Sequence, residues 1–164
     1  MKAIREIMAT SPISCGKNET IQSVVSNMSK SNIGFLPVVD ESKKVIGTIT
    51  DRDVCLAIGK SNKPVHELKV HEVMNKNTHL IRQEEDVASA LRIMRTNKVG
   101  RLPVVDTDNH LKGIVSLTRI ARKIKDSQDK AELEYAGKEN VINTLSAIAE
   151  RNQSKKSVEE SAEE

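Results

Sequence analysis

Aromatic residues are nearly absent from this 164-residue chain, which has one Phe, one Tyr and no Trp. Proteins that hold single-stranded nucleic acid stack the bases on aromatic faces, so that class of function finds no support. Cysteine is equally scarce. Cys15 and Cys55 are too few for a disulfide framework, and no C-x-x-C pair is present for zinc or redox work. Nothing beside Cys15 in the sequence would lower its pKa, so it reads as a passive thiol. No apolar run approaches the ~20 residues of a membrane span. The opening MKAIREIMAT lacks the apolar core of a secretory signal. A cytoplasmic protein with no membrane partner is expected. His66, His71, His79 and His110 have no metal-ligand spacing, and there is no Ser-His-Asp order, catalytic carboxylate pair or P-loop. No catalytic residue, metal or required cofactor is therefore expected, and the chain does not read as an enzyme.

Charge is plentiful and unevenly placed. Lys and Arg outnumber Asp and Glu by 21 to 13 over residues 1–125 and are outnumbered 5 to 10 over residues 126–164. A basic body carrying an acidic tail would attract a phosphate ligand or polyanion. No DNA-binding motif accompanies the charge, and nucleic acid is not an expected partner.

The chain repeats itself. Ile33-Gly34-Phe35-Leu36-Pro37-Val38-Val39-Asp40 recurs as Val99-Gly100-Arg101-Leu102-Pro103-Val104-Val105-Asp106, an offset of 66 residues. The same offset carries Met8 to Met74, Met28 to Met94 and Gly47 to Gly113 without a gap. Two copies are too few for a solenoid; a closed pair, each copy covering apolar surface of the other, is the natural alternative.

Each copy reads as short strand, helix, strand, strand, helix. Ile21, Val24, Val25 and Met28 fall on one helical stripe behind the N-cap candidate Thr20, and Val87, Ala90, Leu91 and Met94 repeat it behind Asp86. Phe35–Val39 and Val45–Thr50 read as strands, with Gly47 marking a bulge or a close backbone approach. Asp51–Ile58 reads as a helix. Ile4–Met8 and Val70–Met74 are matching apolar lead-ins, and the four methionines are read as core. The expected division is 1–62 for the first unit, 63–125 for the second, 126–152 for a C-terminal helical extension and 153–164 for a disordered acidic tail. Within the extension Gly137 is expected to interrupt the helix, and Val141, Leu145 and Ile148 to form a stripe that docks on the body.

The doubled unit resembles the tandem CBS-domain (Bateman module) family, and a stand-alone pair in particular, over about residues 3–124. The resemblance rests on the (Ile/Val)-Gly-x-Leu-Pro-Val-Val-Asp strands, the glycine-led strand ends and the duplication. It implies an α/β (α+β) fold of two β-α-β-β-α units packed with pseudo-two-fold symmetry. It also implies a regulatory module that binds an adenosine-containing ligand (AMP, ADP or ATP above all) in the cleft between the units. Such a module signals by conformational or oligomeric change to a regulated protein partner that the sequence does not identify, commonly as a homodimer. A ligand-independent interaction module acting through the C-terminal helix is the alternative.

Thr50-x-x-Asp53 ends the first copy. A hydroxyl and free amides at a helix start suit a phosphate, and a carboxylate accepts from two ribose hydroxyls. The same spacing is also that of a capping box. The resemblance favours the ribose role for Asp53. It further implies that Thr48, Pro103 and Thr118 line this cleft, that backbone at His79 and Leu80 meets adenine, and that Arg101 points at phosphates. In the second copy Ser116 keeps the hydroxyl, but Arg119 replaces the carboxylate, and a guanidinium cannot accept from ribose. The mirrored cleft, with Ile13, Ser14, Phe35, Arg52, Ile114, Ser116 and Arg119, is thus expected to be degenerate or differently filled.

Overall fold

A computed structural model describes residues 3–126 and 133–153. Residues 127–132, within the expected extension 126–152, and 154–164, nearly all of the acidic tail, lie outside the described residues. Copy one contains β1 (Ala9–Thr10), β2 (Cys15–Gly16), α1 (Ile21–Ser31), β3 (Phe35–Val39), β4 (Val45–Thr50) and α2 (Asp51–Lys60). Copy two contains α3 (Val70–Val73), β5 (Ile81–Arg82), α4 (Val87–Asn97), β6 (Arg101–Val105), β7 (Leu111–Ser116) and α5 (Leu117–Asp126), followed by α6 (Leu133–Gln153). A 3-10 turn over Ile4–Glu6 is the counterpart of α3. The fold is mixed α/β, with each repeat in the β-α-β-β-α order expected of it.

The duplication recurs bond for bond. Thr20 caps α1 by accepting from the Ser23 amide at 3.2 Å, and Asp86 caps α4 by accepting from the Ser89 amide at 2.8 Å. Asn32 and Lys98 end these helices at left-handed φ values of 51° and 53°. Asp40 Oδ1 accepts from the Ser42 and Lys44 amides, and Asp106 Oδ1 from those of Asp108 and His110, closing the two β-hairpins. Partial desolvation raises the Asp106 pKa, but the His110 amide, the Lys112 ammonium and the Asp108 amide outweigh it and bring it to about 2.

Packing cuts across the repeats. One compact unit joins the stretch up to Thr10 with His79–Val104 and the chain from Gly113; the other joins Ser11–Thr78 with the hairpin tip Val105–Lys112. Each repeat thereby completes its sheet with the lead-in of the other. In the first unit the strand order is β1-β7-β6-β5, with Ala9 opposite Ile114 and Thr10 opposite Gly113. Ile4, Leu102, Val104, Val115 and Ile120 fill its core. In the second the order is β2-β3-β4, and the Asn75 amide and carbonyl pair with Thr48 at 2.8 and 3.0 Å. Ile21, Leu36, Val38, Ile49 and Val70 fill that core. Pro37 is tolerated in the middle strand because β2 begins only opposite Val38. Met28 and Met94 are buried, and Met8 and Met74 pack on the two cores.

Gly47 does both things its position suggested. The β3–β4 register slips at Val38/Val39, and a Cβ on Gly47 would lie 3.0 Å from both Asn75 O and Met74 Sδ. A Cβ on Gly113 would meet Ala9 O and Met8 Sδ at 2.6 Å.

Three expectations are corrected. Gly137 does not break the helix; it sits within α6 because a Cβ there would press to 3.2 Å from Ile124 Cδ1 on α5. The docking face of α6 is Gly137, Val141, Thr144 and Ile148, while Leu145 points outward. Val25, expected on the buried stripe of α1, is exposed, whereas its counterpart Leu91 is buried.

Gly113→Ala is expected to lower stability by about 1–3 kcal/mol through overpacking, and Gly47→Ala by less, because the Gly113 clash is the closer one. Urea denaturation midpoints check the order; equal or reversed costs would contradict the seating of the lead-ins.

Candidate functional site

The start of α2 is built by two side chains. Thr50, extended at φ −117° and ψ 162°, accepts from the Asp53 amide at 3.1 Å. Asp53 Oδ2 accepts from the Thr50 amide at 2.9 Å and from its hydroxyl at 2.7 Å. The capping box expected as one reading of Thr50-x-x-Asp53 is thus formed. Asp51 adds a second carboxylate, its Oδ1 accepting from the Arg52 amide at 2.8 Å, and its own amide donates to Gly34 O. All three amides that open α2 are therefore bonded within the protein. This corrects the expectation that free amides there suit a phosphate. The helix start presents carboxylate oxygen, with Asp53 half-buried and its two bonds both on Oδ2. Such a group accepts from hydroxyls and repels phosphate.

The matching place in copy two is chemically inverted. Ser116 Oγ accepts from the Arg119 amide at 3.2 Å and lies 3.1 Å from Thr118 Oγ1. The Arg119 guanidinium turns to the lead-in, where Nε donates to Ile7 O and Nη2 to Met8 O at 3.1 Å. Position 119 thus ties down the first segment of the chain.

The other expected residues fall into the two units separately. Thr48, Thr50, Asp53, Phe35, Arg52, Ile13 and Ser14 belong to one; His79, Leu80, Arg101, Pro103, Ile114, Ser116, Thr118 and Arg119 belong to the other. Thr48 is half-buried on β4, and Phe35 is buried opposite Thr50. Arg52 and Ile13 are exposed, and Ser14 borders an open cavity beside Glu19, Asp40 and Lys43. His79 and Leu80 are half-buried just before β5. Arg101 is exposed at the head of β6, and Pro103 is buried in its middle. Ile114 pairs with Ala9, and Thr118 is exposed.

Burial, and then the neighbouring Glu19, push the Cys15 thiol up to about 12, which fits a passive packing role. The sequence reading missed two features. Asp51 lies over Gly34, where the offset of 66 places Leu117 in the other copy. Asp106, Asp108 and His110 bring ligand-type atoms within 4.8 Å of one another, a grouping hidden by its i, i+2, i+4 spacing in a turn. Lys112 Nζ already sits 3.0 Å from Asp106 Oδ2.

A family model of the CBS domain matches this chain twice, over residues 4–60 and 70–126. The chain belongs to the CBS-domain family. The CBS domain-containing protein YhcV of Bacillus subtilis is 33% identical over 125 residues, which cover 74% of this chain and 84% of YhcV. Inosine-5'-monophosphate dehydrogenase of Methanocaldococcus jannaschii is 33% identical over 125 residues, 76% of this chain. This chain spans only 24% of that enzyme. Among solved structures, the CBS domain pair of protein MJ0100 in complex with 5'-methylthioadenosine and S-adenosyl-L-methionine is 27% identical, with a TM-score of 0.68. The alignment covers 76% of this chain and 97% of that one. The CBS domain protein TA0289 of Thermoplasma acidophilum shares the fold at 21% identity and a TM-score of 0.71, over 89% of this chain and 75% of its own.

The two CBS repeats thus differ in chemistry where a helix begins. The first ends in an acceptor, Asp53, and the second in a donor, Arg119, bonded to backbone. Arg119→Ala is expected to cost about 1–3 kcal/mol, because two carbonyls of the lead-in lose their donor. Arg119→Lys should recover only part of it, an ammonium lacking the fork that spans two carbonyls. Chemical denaturation of the three proteins measures this; an unchanged midpoint in Arg119→Ala would refute the tethering role.

Proposed function

We propose that this CBS pair is a regulatory module of the cytoplasm that senses an adenosine-containing ligand, AMP, ADP or ATP in the first instance. The observation that carries the reading is the acceptor at the start of α2. Asp53 is held by Thr50 on one oxygen only, and a carboxylate so placed suits the paired hydroxyls of a ribose. The MJ0100 CBS pair, similar over most of this chain, binds two adenosyl compounds and supports the ligand class. On this reading Thr48 and Thr50 flank the sugar. Backbone at His79 and Leu80 meets adenine, Pro103 and Thr118 line the site, and Arg101 takes the phosphates. The counterpart set of Ile13, Ser14, Phe35, Arg52, Ile114, Ser116 and Arg119 takes no ribose, because position 119 has donors only. One ligand binds per chain. Binding couples to a protein partner, with a coupling of about 1–3 kcal/mol, and no residue is assigned to catalysis.

A second reading, an interaction module that needs no small ligand, is favoured by the outward Ile142 and Leu145 of α6.

Thermal denaturation with AMP, ADP, ATP, NAD and S-adenosylmethionine separates the two. The sensor reading expects selective stabilisation, roughly 2.7 kcal/mol at 100 times the dissociation constant, with a calorimetric stoichiometry of one. No stabilisation by any of the five would overturn it. Asp53→Asn, which keeps an oxygen for the Thr50 amide, should retain the fold yet weaken binding at least about tenfold, or ~1.4 kcal/mol. Unchanged affinity in that variant would remove Asp53 from the site.

A further inference from the structure

The second repeat carries a cationic surface that the first repeat lacks. Arg92 and Arg95 on α4, Arg101 at the head of β6, and Arg122, Lys123 and Lys125 on α5 are all exposed. A shift of 66 residues carries them onto Ser26, Ser29, Phe35, Leu56, Ala57 and Gly59, none of them charged. None of the six enters an ion pair among the described residues. Lys98 and Arg119 add to the positive charge of the same elements. Against it stand Asp126 at the end of α5 and Asp86, the cap of α4, whose carboxylate feels Arg92. The neighbouring α6 adds the exposed Lys138, Glu139 and Glu150, and the surface stays positive.

One corner of this surface lies at Gly100. Ile148 of α6 comes within 4.0 Å of the place that a Cβ on Gly100 would take, and the Leu117 amide at the start of α5 donates to Gly100 O at 3.0 Å. Arg101 is the next residue, so α6 runs out beside Arg101 and the start of α5. In the first repeat the same corner holds a carboxylate, Asp51 over Gly34. In the second, Leu117 stands in place of that acid and Arg101 in place of Phe35. The chain carries acid a short way further on. Segment 154–164, which follows α6, has Lys155 and Lys156 first and then Glu159, Glu160, Glu163 and Glu164. The six residues from Gln153 to Glu159 reach up to about 20 Å, and the ten residues of α5 are about 15 Å long. A segment tied at that corner meets the surface at an effective concentration on the order of millimolar.

We propose that the glutamates of 154–164 lie over Arg101 and the cations of α5 as an electrostatic strap, which an anion binding there must displace. The proposal does not rest on the adenosine reading, because it holds for an anion with neither base nor sugar. It makes ionic strength a control on access, since salt at 1 M screens exposed charges within about 3 Å.

Amide NMR spectra of the full chain test it, set against a quadruple variant that combines Glu159→Gln, Glu160→Gln, Glu163→Gln and Glu164→Gln. Resonances of residues 95–101 and 117–125 should differ between the two proteins in low salt and coincide in 1 M KCl, while those of residues 26–29 and 56–59 stay fixed. No difference at the first two stretches, or an equal one at the other two, would overturn the proposal. So would a difference that grows with protein concentration, which would put the segment on another copy. Titration calorimetry with inorganic tripolyphosphate reads the competition. The quadruple variant should bind it at least about 3-fold more tightly than wild type in low salt, the scale of an exposed ion pair. Adding Arg101→Gln and Lys125→Gln to both proteins should erase that difference. Equal affinity in wild type and the quadruple variant, binding by neither, or a difference that survives the two added substitutions would show that the segment guards no anion surface at Arg101.

Discussion

Everything in this molecule depends on two glycines that have no room for a side chain. Gly47 and Gly113 sit where a lead-in crosses a strand so closely that carbonyl oxygen and methionine sulfur occupy the place of a Cβ. The lead-in that reaches each glycine comes from the other repeat. The exchange completes both sheets and places Ile4 and Val70 at the bottom of their cores, with no exposure. Neither repeat, taken as an uninterrupted run of sequence, contains the whole of its own compact unit.

The duplication is strict in backbone and loose in chemistry. Caps, hairpin turns and left-handed helix ends recur at the offset of 66, because each solves a backbone hydrogen-bonding problem that both copies share. Where the side chain answers to something other than the backbone, the copies part. Asp53 closes a capping box, while Arg119 reaches a different segment altogether. Asp51 lies against a glycine, while Leu117 in its place is buried in the core. Val25 is bare and Leu91 is covered. This divergence turns two equal halves into one half that presents carboxylates at its helix start and one half adapted to hold the lead-in and α6.

The strands and capped helices were legible in the sequence because they rest on local signals, such as Thr20 and Asp86 ahead of a 3.6-residue period, or Gly47 within a β run. What was not legible depends on distant partners. The exchange of lead-ins has no local signature, since Ile4–Met8 and Val70–Met74 read alike whichever sheet they join. Gly137 was misread because a glycine inside a helical pattern looks like a stop until a second helix is known to press on it. Leu145 was placed inward because an i, i+4 step from Val141 fits a stripe as well as Thr144 does, and apolarity favoured leucine. The hydroxyl of Thr144 is accommodated in the buried face by donating to Asn140 O at 2.7 Å, one turn back along its own helix. At the candidate site the residue types at α2 were readable, but the fate of its amides was not. Two bonds within the helix start and one from the Asp51 amide to Gly34 O decide that it presents oxygen rather than N–H.

The exchange of lead-ins also sets an order in time. Ala9 and Thr10 find their strand partners at Ile114 and Gly113, which are made more than a hundred residues after them. At synthesis rates of about 5–20 residues per second, the first strand waits roughly 5–20 s for its sheet, while α1, β3, β4 and α2 already have one another. The unit that contains β1 is therefore the one whose sheet closes late, and β1 must stay uncommitted until β7 has been made.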